Sequence, residues 1–239
     1  SFEGTNTLSG NGSIVFGNSG SNRLGVDNNG VLTIGANTTI RGQNGNIGDA
    51  VYVGGNGKLI NQGLISSDSG GTFSIRNLGS GFVNHAIAEA KGAGSVLQLQ
   101  SAVDNAGGTL RSSNGGVISQ QGVSVTGGTI SNTTGGSYAL ANNGNNFLRG
   151  VTVAGGSTVD MASGLSTARV TNGLTNNGTI VINADSILSF EGTNTLSGNG
   201  SIVFGSSGNN RVGVDNNGVL TIGANATIRG QNGNIGDAV

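Results

Sequence analysis

The side chains able to do acid–base chemistry are few and scattered. The carboxylates are Glu3, Asp27, Asp49, Asp68, Glu89, Asp104, Asp160, Asp185, Glu191, Asp215 and Asp237. Sugar-cleaving sites need clustered carboxylates on one face, often with Arg or Lys beside them. Here the acids are spread along the chain, and spacing singles out only Asp49 with Asp68. Each carboxylate is expected to be solvated or to cap a turn. His85 is the sole histidine and sits in VNHAI, a turn-like context. One histidine makes no metal site alone, so a surface turn residue is the expectation. Gly54-Gly55-Asn56-Gly57 opens like a calcium-binding solenoid repeat, but Lys58 follows with no Asp after it, and the pattern is not iterated. Thr5 with Thr7, Thr38 with Thr39, and Thr133 with Thr134 do not share one phase, as a flat ice-binding array would require. No catalytic, cofactor-binding or metal-ligating residue is assigned. The remaining candidates for recognition are Asn side chains with Tyr52, Tyr138 and Phe147, which suit the stacking and hydrogen bonding that grip a glycan.

The elements that would position these residues are set by repetition. The stretch 1–51 returns at 189–239, with 47 of 51 residues identical at an offset of 188. The exceptions are Asn18 against Ser206, Ser21 against Asn209, Leu24 against Val212, and Thr38 against Ala226. Residues 1–188 therefore form one repeat unit and 189–239 the start of a second, expected to run as one continuous solenoid over 1–239.

A shorter rhythm lies inside the unit. Leu174 to Phe190 reads LTNNGTIVINADSILSF: a turn at Asn176-Asn177-Gly178, a strand with Ile180 and Ile182 on one face, a polar corner, and a second strand with Ile187. Asn-Gly supplies the positive φ that tight turns need. Leu8 to Phe16, Val26 to Ile34 and Val53 to Ile60 repeat this line, and looser copies start at Val83, Val103 and Val125. Helical periodicity is absent; apolar residues alternate in short runs between turn signals, as in strands.

Composition agrees. The chain holds 48 glycines and no proline or cysteine. Proline is excluded from central strands, and β-branched residues throughout argue against disorder. The net charge of −1 offers no footprint for nucleic acid. No stretch approaches the ~20 apolar residues of a spanning helix.

A unit of about 20 residues cannot bury its apolar face alone, but stacked units can, each coil pairing with its neighbours as parallel strands about 4.8 Å apart. Parallel crossovers are right-handed. The expectation is an all-β fold, a right-handed parallel β-helix (β-solenoid) of about 20 residues per coil and roughly 11 or 12 coils. Its expected core comprises Ile14, Phe16, Leu32, Ile34, Ile65, Phe73, Ile75, Val96, Leu110, Ile118, Ile130, Leu140, Val153, Ile180, Ile182 and Ile187. Asn and Ser/Thr at coil corners would stack into ladders along the axis.

The line Gly173 to Phe190, with Leu8 to Phe16 and its copy Leu196 to Phe204, resembles the coil repeats of filamentous haemagglutinin-type exoproteins. Autotransporter passenger domains share the motif. The resemblance implies a right-handed β-helix within a large bacterial adhesin, secreted or on the cell surface, and supplies no catalytic residues. The expected function is a shaft segment of a long repetitive extracellular fibre, not an enzyme, with end-to-end or lateral self-association. The alternative is a solenoid module that binds host or neighbouring-cell glycans.

Overall fold

The computed structural model describes residues 1–162 and 164–236. Among them there is no helix, and parallel strands stack about 23 residues apart to make a β-solenoid of about ten turns. The chain divides into two compact units, Ser1–Ser119 with Thr134–Gly136, and Gln120–Thr133 with Ser137–Val239.

In the first unit, three ladders build the core. Thr39–Gly42, Leu64–Ser67, Ile87–Lys91 and Thr109–Ser113 pair in parallel order, which stacks Ile40, Ile65, Ala88 and Leu110 in one buried column. A second column runs Leu32, Leu59, Phe82, Val103. A third carries Ile47, Ile75 and Leu99. Strand alternation drives this arrangement: every second side chain faces inward. Each Leu or Ile so buried contributes about 1.5–3 kcal/mol. Glycine opens one place in the wall. A Cβ at Gly42 would lie 2.2 Å from the Phe16 carbonyl oxygen, and one at Gly45 2.2 Å from the Phe16 ring. With both absent, Phe16 reaches Phe73, ring centroids 4.9 Å apart.

The second unit is built alike. Tyr138, Val159, Ile180, Ile202 and Ile228 lie in one column, and Leu148, Val170, Phe190 and Val214 in another. The strand Ile187–Glu191 crosses from the end of the first sequence repeat into the second without a break.

The corners are polar, and their amides stack inside the coil. Asn61 donates from Nδ2 to Asn84 Oδ1 at 2.8 Å, and Asn84 Nδ2 donates to Asn105 Oδ1 at 2.7 Å. All three side chains are buried. The Asn61 Oδ1 also accepts from the Gly63 amide at 3.2 Å, closing the turn. In the second unit Asn176 Oδ1 accepts from the Gly178 amide at 3.1 Å in the same way.

Several expectations need correction. The coils average about 23 residues, so there are about ten and not 11 or 12. Irregular corners account for the excess; residues 49–57 pass between strands without pairing as one. Val96 and Ile187 are half-buried and face outward, because Leu97 with Leu99 and Leu188 with Phe190 take the inward phase of their strands. Ile14 has the inward phase, partnering the buried Ile40, yet is only half-buried in the first coil. The other expected core residues are buried.

Candidate functional site

Most of the described carboxylates bond across coils, whereas Asp104 and Asp160 each accept only from the backbone amide two residues on, at 3.1 and 2.7 Å. Asp27 is 0% exposed and accepts hydrogen bonds from Ser1 Oγ at 2.5 Å, the Val51 amide at 2.6 Å and the Tyr52 amide at 3.1 Å. Burial opposes its ionisation, but these hydrogen bonds outweigh it and the pKa is lowered. Asp49 and Asp68, paired by spacing, are held by different arginines. Arg76 grips Asp49 with Nη2 at 2.5 Å and Nε at 2.9 Å, and Asn77 Nδ2 adds a bond at 2.6 Å. Arg41 Nε donates to Asp68 at 2.7 Å. Asp237, the sequence copy of Asp49, lies outside the described residues.

Glu89 was not singled out by sequence, yet it is the most enclosed of the ion-paired carboxylates. It accepts from Ser66 Oγ at 2.9 Å and from Arg111 Nε and Nη2 at 2.8 and 2.5 Å. Ser66, Glu89 and Arg111 are register partners on three successive strands. Glu191 and Arg169 form a like pair across neighbouring strands. Both pairs are separated by 22 residues in sequence. That offset was a usable signal, but the varying coil length hid it.

Acid, base and hydroxyl groups also converge in the second unit. A cavity of about 250 Å³ is lined by Gly144, Thr167, Arg169, Ser189, Glu191, Asp215 and Asn216. Arg169 pairs with Glu191, and Ser189 Oγ donates to Asp215. Beside it, the Phe147 ring lies 4.4 Å from the guanidinium carbons of both Arg149 and Arg169. Each such contact is worth about 0.5–1 kcal/mol at an exposed site. The cavity's chemistry is explained by its sequence copy. Ser1 and Asp27 repeat the Ser189–Asp215 bond, and there the Asp carboxylate clamps the backbone of a corner. A second cavity, of about 270 Å³, is lined by uncharged groups, among them Asn172, Thr175, Thr195 and Ser197.

The three aromatic candidates separate. Tyr52 is 81% exposed and flanked by the exposed Val51 and Val53. Its loop is tied down by Asp27, by the Asn28 amide donating to Val53 O at 3.0 Å, and by the Asn56 amide donating to Asn29 Oδ1 at 2.8 Å. Phe147 is half-buried between its arginines. Tyr138 is wholly buried, and its hydroxyl donates to Gln120 Oε1 at 2.9 Å. Burial pushes its pKa far up. It shares the inward phase with Leu140, so it is a core residue and not a ligand contact.

His85 is exposed at a corner, with Nδ1 3.3 Å from the Ala106 carbonyl. Lys58 begins a strand. Among the described residues no group of three or more His, Asp or Glu is placed to hold a metal ion. Thr38 is buried, donating to the carbonyls of Leu8 at 3.2 Å and Gly10 at 3.3 Å, so it displays nothing outward. No helix of the described residues is long and apolar enough to cross a membrane. Comparison with family models, with curated proteins and with solved structures found no match.

Proposed function

We propose that this chain is a shaft segment of a long repetitive bacterial surface or secreted protein, an adhesin or fibre, in which stacked coils act as a stiff rod. The observation that carries this reading is the 188-residue repeat whose seam falls inside the strand Ile187–Glu191. A copied unit that joins within a strand adds length and no boundary. Stability in such a stack grows with each nearest-neighbour coil interface. The ionisable groups support the same reading, because Asp27, Asp49, Asp68, Glu89 and Glu191 are spent on coil-to-coil contacts. The reading involves no catalysis, no cofactor and no nucleic acid. Its partners are further copies of itself, end to end or side by side. Electron micrographs of the native protein on its cell test it. Thin projections whose length scales with the number of repeats are expected, and a cell surface bare of them would overturn it.

One observation favours a second reading, a glycan-binding solenoid. Tyr52 is displayed on a loop fastened at three points, which suits an aromatic platform for a sugar face. Glycan-array binding that vanishes in Tyr52→Ala with unchanged thermal unfolding would support it. Equal binding by both proteins would remove it.

A further inference from the structure

In the second unit, the sheet that carries the Tyr138 column has an outer side with an ordered pattern of its own. Ser137–Leu140, Thr158–Met161, Thr179–Ile182, Ser201–Phe204 and Thr227–Gly230 pair in parallel with no shift of register. Ala139, Asp160, Val181, Val203 and Arg229 stack in one outward column. Thr158, Thr179, Ser201 and Thr227 stack in the next. Asp160 and Arg229 stand three strand steps apart, roughly 14 Å, and cannot reach each other. Among the described residues neither forms an ion pair, and Asp160 accepts only from the Ala162 amide.

The first unit handles the same face differently. Val15 and Arg41 are the copies of Val203 and Arg229, and their column continues through Ser66, Glu89 and Arg111. There the charges pair in place, Arg41 with Asp68 and Glu89 with Arg111. Arg41 also shows that the face lies on the flank of the coils. With the strand Leu64–Ser67 stacked on it and Nε bonded to Asp68, its side chain is still 46% exposed.

We propose that this face docks on the same face of a second copy of the chain, the two running in opposite directions about a twofold axis that lies along the strands between Val181 and Val203. This deepens the side-by-side arm of the shaft reading and rests on it for its strength in a long array.

The column is complementary to its own reverse. With one copy turned around, Asp160 meets Arg229 and Val181 meets Val203, and each contact occurs twice, as a twofold interface requires. In the neighbouring column Thr158 meets Thr227 and Thr179 meets Ser201. Copies running in the same direction would set Asp160 on Asp160 and Arg229 on Arg229, and like charges oppose that arrangement. The two valines sit at the centre and the charges at the ends, the order that interfaces favour. The column also straddles the junction of the sequence repeat. Asp160 and Val181 belong to one unit, Val203 and Arg229 to the next, so each junction builds one such face. A face this small falls well below the ~800 Å² that each partner buries in a stable complex. Columns repeated at one period engage together when two arrays align, and the weak contacts then multiply.

The test uses the whole chain, which has no cysteine of its own. Thr158→Cys protein and Thr227→Cys protein, one of them tagged, are mixed and treated with a bismaleimide. Its span is chosen shorter than the roughly 14 Å that displaces either cysteine from its like in the reversed pair. Facing cysteines hold a fixed effective concentration, so mixed pairs should exceed like pairs by at least about tenfold. Arg229→Asp, a change at an exposed position, should bring mixed and like pairs to equal amounts when both proteins carry it. Asp160→Arg should do the same, and the two changes together should restore the excess. Unchanged thermal unfolding of the Arg229→Asp protein shows that the loss is one of pairing and not of fold. Equal amounts in the parent, an excess of like pairs, no cross-linking, or an excess that survives Arg229→Asp overturns the proposal. A double variant that folds and does not recover the excess overturns it too. Projections on cells without the mixed excess would remove this face alone. The mixed excess with cells bare of projections would remove the shaft reading and leave the pairing.

Discussion

The stretch 1–51 and its copy from 189 onward have nearly one sequence and opposite faces buried. Ile34 and Ile47 are 0% exposed, whereas their copies Ile222 and Ile235 are 45% and 56% exposed. On the other side the order reverses. Ile14 is half-buried and its copy Ile202 fully buried. Leu8 is half-buried and Leu196 fully so. Nothing in the residues themselves differs at these places. What differs is which neighbouring coil is present. A coil here has no core of its own; it has two apolar edges that become core when another coil lies on them. Burial, and with it stability, belongs to the interface between coils and not to the coil.

The largest test of this contrast is a pair of identical truncations. Ile34→Ala should cost about 3–4 kcal/mol, in the range for a buried Ile that leaves a cavity. Ile222→Ala should cost below about 1 kcal/mol, because much of its surface is already in water. Urea unfolding of the two variants measures both. Equal losses would break the comparison. Leu8→Ala and Leu196→Ala sharpen it by inverting it: the second copy should now be the sensitive one, at about 2–3 kcal/mol for Leu196.

The interior columns were legible in the sequence because their alternation was. Leu32 with Ile34, Phe73 with Ile75, and Ile180 with Ile182 each leave only one inward phase. Val96 and Ile187 were misread where two apolar residues open a strand together, so that either phase fits locally. Tyr138 stands two residues before the buried Leu140 and so shares its inward phase, but nothing in the sequence shows that Gln120 lies across the core to accept from its hydroxyl. The corners were not legible. Successive column positions are separated by 27 residues from Leu32 to Leu59 but 21 from Val159 to Ile180. Without the coil length at each step, Glu89 cannot be matched to Arg111, nor Asp49 to Arg76.

Charge gives effects of intermediate size. Arg111→Ala strips two hydrogen bonds from one oxygen of a carboxylate that is nearly out of water, and should cost about 2 kcal/mol, below the full range for a buried pair because Arg111 itself is partly solvated. The copied glutamates restate the contrast on a smaller scale. Glu191 pairs with Arg169, whereas Glu3 is exposed. Glu191→Gln should therefore lower stability by less than about 1 kcal/mol, and Glu3→Gln should leave the urea midpoint unchanged. Salt should shrink the first difference and not affect the second.

A further small effect has a direction in pH. Asp27 holds the Val51 and Tyr52 amides and is buried, whereas its copy Asp215 is half-buried. Because folding lowers the Asp27 pKa, ionised Asp27 stabilises the folded chain at pH values above the unfolded carboxyl value of about 3.9. That contribution fades as pH falls through the lowered folded value. Asp27→Asn should accordingly be less stable than the parent at pH 7, and the two should converge as the pH drops below about 4. Amide exchange at Val51 and Tyr52 should quicken in the variant over the same range. Asp215→Asn should separate less from the parent, since water already solvates part of that carboxylate. A gap for Asp27→Asn that widens on acidification would mean the carboxylate is not the clamp on this corner. The loop bearing Tyr52 would then owe its position to Asn28 and Asn29 alone.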